Sequence, residues 1–122
     1  MTLNELYDAI GGDYTQAQKV LRMDKLIDKH IRKLPDNKKF DDLFEAAKNM
    51  DAVGLFESAH AIKGVCGNLG LVKIAALASD VSEEFRPGNP RRLSDAELLS
   101  VIDRIKSLFE LSCAKIGEYA SV

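Results

Sequence analysis

The apolar residues of this chain recur every three or four positions along almost its whole length, which is the spacing of one face of an α-helix. Only three prolines occur in the 122 residues, at positions 35, 87 and 90, so few points force a helix to stop. No segment shows the alternation of apolar and polar residues, rich in β-branched side chains, that is typical of a strand. The sequence therefore predicts an all-α protein.

Residue types that cap helices divide the first part of the chain. Thr2 and Glu5 form a capping box for a short first helix, which Gly11 ends. Asp13 is expected to cap a second helix that continues until Pro35 interrupts it. The apolar stripe of this second helix consists of Ala17, Val20, Met23, Ile27, Ile31 and Leu34.

Similar signals divide the rest of the chain. Asp36 is expected to cap a third helix and Asp51 a fourth, and a fifth helix follows from Leu71. The stretch RPGNPRR is the clearest loop, and a capping box at Ser94 opens a long last helix. Five or six amphipathic helices with short joins predict an antiparallel up-down bundle that forms a single domain over residues 1–122.

Composition argues against several classes of partner. The formal net charge is −2, and the basic pairs at 38–39 and 91–92 are too small for a nucleic-acid-binding arm. No apolar run approaches the roughly 20 residues of a membrane span, and the N-terminus is too short and too acidic for a signal peptide. Cys66 and Cys113 show no metal-binding spacing, and we expect both to be small apolar core residues in a reducing compartment. The protein is therefore expected to be cytoplasmic, without a nucleic-acid or membrane partner.

One histidine in the fourth helix has an unusually bare face. With His60 at zero and about 100° for each residue, the core stripe lies on the opposite side. That stripe consists of Leu55, Ala59, Ile62, Cys66 and Leu69. Gly64, Gly67, Val53 and Phe56 fall within about 40° of the histidine, which leaves its face with little side-chain bulk. A partner could therefore bring a bulky, charged group up to the imidazole.

Charged and apolar residues flank this face. Lys63 and Glu57 lie about 60° to either side of His60, and Lys63 places a cation where a phosphoryl group on the ring would carry its charge. Val53 and Phe56 are apolar on a solvent face and are expected to form a small docking patch. Gly67 has a second explanation, because with Asn68 and Gly70 it could mark an early helix end. The other histidine, His30, has no bare face and is interpreted as structural.

At these residues the sequence resembles the histidine-containing phosphotransfer (HPt) domain of multistep phosphorelays. The stretch AHAIKGVCGNLGLVKIAALASDVSE contains the H-x-x-K-G core of that family, and the sharp resemblance covers roughly Leu55 to Glu84. The resemblance implies a four-helix bundle with a short accessory N-terminal helix. It also implies that His60 is phosphorylated, that Lys63 helps to neutralise the phosphoryl group, and that Gly64 leaves access for the partner.

The resemblance further implies the partners and the chemistry. The partners would be response-regulator receiver domains, including those of a hybrid sensor histidine kinase, whose phospho-aspartate exchanges its phosphoryl group with His60. The receiver would supply Mg²⁺, and the chain would have no cofactor of its own and no ATP-dependent kinase activity. We expect a monomer, and the starting Met with the terminal capping box favours a free-standing protein.

The chain departs from the family at one position. Relatives often carry a glutamine 22 residues after the histidine, which hydrogen-bonds the imidazole, and here that residue is Ser82. Serine is shorter and would reach the ring through a water, although we still include Ser82 among the expected docking residues. Glu83 and Glu84 are the alternatives for orienting the ring.

Two other functions compete with the phosphocarrier. The bare face would equally serve a helical adaptor that docks a receiver without being phosphorylated. A metal or haem bundle needs convergent ligands from facing helices, whereas the two histidines, His30 and His60, are on separate helices and His60 is expected to face outward.

Overall fold

The computed structural model describes residues 1–121 and contains only helices, turns and short joins over that range, which confirms the expected all-α class. The helices are α1 (Leu3–Ile10), α2 (Tyr14–Leu21), α3 (Asp24–Lys33), α4 (Lys39–Lys48), α5 (Ala52–Asn68), α6 (Val72–Phe85) and α7 (Asp95–Ala120), with a 3₁₀ turn at Leu34–Asp36.

Four of these helices close into a bundle. α4 packs against α5 and α7, and α6 packs against the same two helices, so the contacts run in a ring. α1 and α3 add contacts to α7, and α2 packs on α5. Phe40 on α4 and Phe109 on α7 stack with ring centroids 3.9 Å apart, which ties the two helices together inside the core. The expected four-helix bundle is confirmed, with a larger N-terminal accessory part than the sequence indicated.

The predicted second helix is in fact two. Arg22 has a left-handed backbone (φ 67°) that ends α2, and α3 restarts at Asp24. The apolar spacing at Val20 and Met23 suggested continuity, but these side chains are 41% and 54% exposed. The break redirects the chain so that the stripe on α3, with Ile27 and Ile31, is fully buried.

The capping predictions are mostly confirmed. Capping boxes are present at Thr2 and at Ser94, and Asp51 accepts a hydrogen bond from the Gly54 N–H at the start of α5. The prediction for Asp36 is wrong, because that residue belongs to the 3₁₀ turn. Asn37, which directly follows this turn, instead accepts a hydrogen bond from the Lys39 N–H at 2.9 Å, at the start of α4.

A tight join between α5 and α6 fixes the end of α5. Gly70 has a φ of +70°, and a Cβ there would lie 2.2 Å from the Asp13 carbonyl oxygen, so only glycine fits. The Asp13 N–H donates to the Gly70 carbonyl at 2.7 Å, and the Tyr7 hydroxyl donates to the buried Leu69 carbonyl at 2.6 Å. These bonds attach the end of α5 to the N-terminal helices, which holds α5 in one orientation.

Burial along α5 follows the predicted stripe. Its five expected core residues, Leu55, Ala59, Ile62, Cys66 and Leu69, are all buried. Cys113 on α7 is only half-buried, so it is less of a core residue than expected. Within residues 1–121, no helix is both long enough and apolar enough to cross a membrane.

Candidate functional site

His60 lies in the middle of α5 and is exposed, on the side opposite the buried stripe. The helix is continuous from Ala52 to Asn68, so Gly64 is inside it and Gly67 lies in its last turn. The left-handed residue that reverses the chain is Gly70, and neither Gly64 nor Gly67 has a positive φ. The turn therefore does not require glycine at position 67, and an early helix end does not explain the bare face.

The two glycines also have no packing reason within the described chain. Apart from its chain neighbours and the adjacent backbone of α5, a Cβ built at Gly64 or at Gly67 would meet no described atom within 4 Å. Each glycine nevertheless costs a helix roughly 1 kcal/mol relative to alanine. The space above them is open, and it extends one to two turns beyond the imidazole.

An aromatic ring stacks on the histidine from the preceding turn. Phe56 and His60 have ring centroids 5.8 Å apart and planes inclined by 23°. Phe56 is half-buried, and Val53, one turn earlier, is 65% exposed. Glu57 is exposed as well. The structure thus brings the predicted apolar residues to the same face as the imidazole, on one side of it, while the glycines clear the other side.

The end of α6 contributes two charged residues near this face: Glu83, an alternative named above for orienting the ring, and Arg86, which the sequence reasoning did not combine with the face. The Arg86 guanidinium donates to Glu83 Oε1, with Nη2 at 2.7 Å, and its Cζ lies 6.0 Å from the centroid of the Phe56 ring. This hydrogen bond lowers the pKa of Glu83; burial opposes it, and the charges of Arg86 and Lys63 lower the pKa further. Lys63 itself is half-buried on α5. The Arg86–Glu83 pair therefore lies close to the Phe56 ring that stacks on the histidine.

The hairpin register carries the signal that could have found Arg86. In an antiparallel hairpin, residues at similar distances from the turn face each other, and Phe56 and Arg86 lie 14 residues before and 16 residues after Gly70. A helical wheel treats one helix at a time, so it cannot show a contact between two helices.

Ser82 does not have the role expected for it. Its side chain is fully buried, and its Oγ has no hydrogen-bond partner among residues 1–121. The expectation that Ser82 docks a partner is therefore wrong, because the short side chain stays between the packed helices. It also makes no direct hydrogen bond to the imidazole.

Glu84 is committed elsewhere. Its Oε2 accepts hydrogen bonds from Arg91 Nε and from the backbone N–H groups of Arg92 and Leu93, all at 2.8 to 2.9 Å. Glu84 thus holds the loop after α6 and is not available to orient His60. The ring contact that the structure does show is the stack with Phe56.

The remaining candidate residues are separate from this face. His30 is exposed and lies on α3, whereas His60 lies on α5. Among the described residues, no group of three or more His, Cys, Asp or Glu side chains is arranged to hold a metal ion.

The comparisons with known proteins identify the family of the chain. The model of the Hpt domain family matches residues 15–112, which covers most of the chain and includes the whole of α5 and α6. No curated protein and no solved structure matches the chain. An exposed histidine mid-helix on a four-helix bundle, within a match of this length, shows that the chain belongs to the family of Hpt domains, which have a phosphotransfer role in two-component signalling.

Proposed function

We propose that His60 is the phosphorylated residue, and that it accepts a phosphoryl group from the phospho-aspartate of a receiver domain and passes it on or back. The observation that carries this proposal is the open space above Gly64 and Gly67, next to an exposed imidazole. These glycines weaken α5 without serving its packing, and room for a docked partner is the benefit that offsets their cost.

The transfer needs only a nucleophile and good positioning from this chain. The lone pair of Nε2 in neutral His60 forms a bond to phosphorus as the bond between phosphorus and the aspartyl oxygen breaks. The aspartate leaves as a carboxylate with that electron pair, and Nδ1 keeps its proton. In-line phosphoryl transfer depends mainly on positioning and charge stabilisation, which suits a ring held on a rigid helix.

Other residues of the face have supporting roles in this proposal. Lys63, three residues after His60, neutralises part of the phosphoryl charge, and Gly64 leaves room for the receiver. Val53, Phe56, Glu57 and Gly67 form the surface on which the receiver docks. The Mg²⁺ that balances the phosphoryl charge is held by the receiver, not by this chain.

The proposal extends to the setting of the protein. The partners are the receiver domains of response regulators or of a hybrid sensor histidine kinase. The chain acts as a monomeric single domain in the cytoplasm and does not phosphorylate itself from ATP. The bundle closes its own ring of helices, which supports the monomer.

Labelled receiver domains test the assignment of His60. A receiver phosphorylated with labelled acetyl phosphate is mixed with the full chain, and label is expected on the chain in an acid-labile, base-stable form. The His60→Gln variant should take up no label, while His30→Gln, which changes the other histidine, should be labelled like the wild type. Label that survives in His60→Gln would refute the proposal.

The same material distinguishes the competing functions. Binding of the receiver without any label on His60 would support the adaptor instead. Incubation with ATP and Mg²⁺ alone should leave the chain unlabelled, and label there would contradict the absence of kinase activity.

A further inference from the structure

Glu83 occupies an unusual place beside the proposed phosphorylation site. It lies at the end of α6, and its carboxylate accepts two hydrogen bonds from Arg86, from Nε at 3.2 Å and from Nη2 at 2.7 Å. Lys63 on α5 acts on the same carboxylate by charge attraction. One carboxylate therefore interacts with two cations, with Arg86 through hydrogen bonds and with Lys63 through charge alone.

The path from Arg86 to the histidine is short and runs over one ring. The guanidinium lies 6.0 Å from the centre of Phe56, and Phe56 stacks on His60 at 5.8 Å. Arg86 and Glu83 are both about half-exposed, so their ion pair lies in contact with solvent. An exposed ion pair of this kind is worth at most about 1 kcal/mol, so a stronger anion readily takes its partner.

A phosphoryl group on His60 would be such an anion. It carries more charge than a carboxylate and presents three acceptor oxygens, and arginine binds phosphate oxygens through two parallel hydrogen bonds. A nearby Glu83 would repel it and would compete with it for Arg86 and Lys63.

We propose that Glu83 is a positioning residue that acts as an internal competitor of the phosphoryl group. In the unphosphorylated protein its carboxylate holds Arg86 and attracts Lys63, and on phosphorylation both cations turn to the phosphoryl oxygens. This inference rests on the proposed role of His60 as the acceptor. Glu83 lowers the stability of the phosphorylated form relative to the receiver, which keeps the phosphoryl group transferable.

The test is the equilibrium distribution of label between this chain and a receiver. The receiver that labels the wild type is equilibrated with the full-length wild type, Glu83→Gln and Glu83→Asp. Glu83→Gln should shift the equilibrium constant toward phosphorylated His60 by about two- to fivefold, the effect of removing one exposed charge pair. Glu83→Asp keeps the charge and should resemble the wild type.

A matched control and a double variant separate this effect from general charge. Asp103→Asn also removes one exposed carboxylate, from the groove that Lys73 and Arg104 line between α6 and α7, and should leave the equilibrium unchanged. In a Lys63→Gln, Arg86→Gln background, the effect of Glu83→Gln should be smaller than in the wild type, because no cation remains to be released and only the direct repulsion is relieved.

The outcomes distinguish the two proposals. If the wild type takes up label but Glu83→Gln has the wild-type equilibrium, or if Asp103→Asn shifts it equally, the role of Glu83 is wrong and the role of His60 stands. If the wild type takes up no label, the role of His60 fails and the role of Glu83 fails with it.

Discussion

Phe56 and His60 lie one helical turn apart on α5 with nearly parallel rings, and the Arg86 guanidinium lies over Phe56 from the neighbouring helix. Two elements of the bundle thus meet at one aromatic ring. Because Ser82 is buried and makes no hydrogen bond to the imidazole, the stack with Phe56 is the contact that the structure shows for the His60 ring.

Replacing Phe56 by leucine should slow transfer to His60 with little change in stability. An aromatic pair is worth about 0.5–1.5 kcal/mol beyond its burial, so we expect a transfer rate about two- to tenfold lower. Phe44→Leu is the control, since Phe44 is also half-buried but lies on α4. Quench-flow labelling with a phosphorylated receiver measures both rates, and an unchanged rate in Phe56→Leu would show that the stack is incidental.

Gly64→Ala should change stability and function in opposite directions. Outside the adjacent backbone of α5, no described atom lies within 4 Å of the added Cβ. The free energy of unfolding, measured with urea, should therefore rise by about 0.5–1 kcal/mol. Transfer should fall about tenfold or more, because the methyl group overpacks the receiver contact.

Gly117→Ala is the matched control for Gly64→Ala. Gly117 is also helical, on α7, and its Cβ would likewise meet no described atom within 4 Å. The control should gain stability and transfer at the wild-type rate. Equal transfer by the two variants would mean that the space at Gly64 is not used by the partner.

Glu84 should stabilise the fold in a pH-dependent way. Burial raises the pKa of Glu84, but the hydrogen bonds from Leu93, Arg91 and Arg92 together outweigh it, and the pKa lies below its ordinary value. A carboxyl with a lowered folded pKa stabilises fully above its unfolded pKa, and loses this contribution as the pH falls through the folded pKa.

Glu84→Gln should therefore lose about 1–3 kcal/mol of stability at pH 7, as expected when hydrogen bonds to a buried charge are weakened. At an acid pH below the lowered pKa of Glu84, the variant and the wild type should differ much less, since Glu84 is then protonated. Urea unfolding at the two pH values measures this, and Glu110→Gln, an exposed carboxylate on α7, is the control. A loss of equal size at both pH values would contradict the argument.

Cys66 should be inert in the folded protein. Burial raises its pKa to about 12, so the thiolate that reacts with alkylating reagents is scarce at neutral pH. In a Cys113→Ser background, iodoacetamide should label Cys66 on the order of a thousandfold more slowly than a free cysteine, and at an ordinary rate in urea. Rapid labelling of the native protein would show that α5 opens readily.

The exposed face of α5 that carries His60 could be predicted from the sequence, because it depends only on the helical period of this one segment. Leu55 and Ile62 fix the buried side, and His60 and Gly64 then follow on the other side without any knowledge of the neighbouring helices. The same reasoning failed at Met23, because the apolar spacing continues across Arg22, whose left-handed backbone separates α2 from α3. A left-handed residue is usually a glycine, so an arginine at this position gives no signal in the sequence.

The contacts between helices could not be predicted from the spacing of apolar residues within each helix. Ser82 and Glu83 are adjacent in sequence, yet one is buried and the other is exposed beside Arg86. Which of them reaches the His60 face depends on how α6 rotates against α5, and packing with α7 contributes to that rotation. The pairing of Arg86 with Phe56 depends on the same rotation.

The hydrogen bond from Tyr7 to the Leu69 carbonyl has a practical consequence for the choice of truncated fragments. The stretch by which the family is identified begins at residue 15 and stops at 112, so a fragment trimmed to those limits would lose Tyr7 and also Tyr119, which donates to Asp28. Such a fragment would keep every residue proposed for the chemistry, yet its histidine helix would fray from the C-terminal end. Protein prepared for binding or crystallisation should therefore keep both Tyr7 and Tyr119, since contacts that hold the helices together extend beyond the residues that match the family.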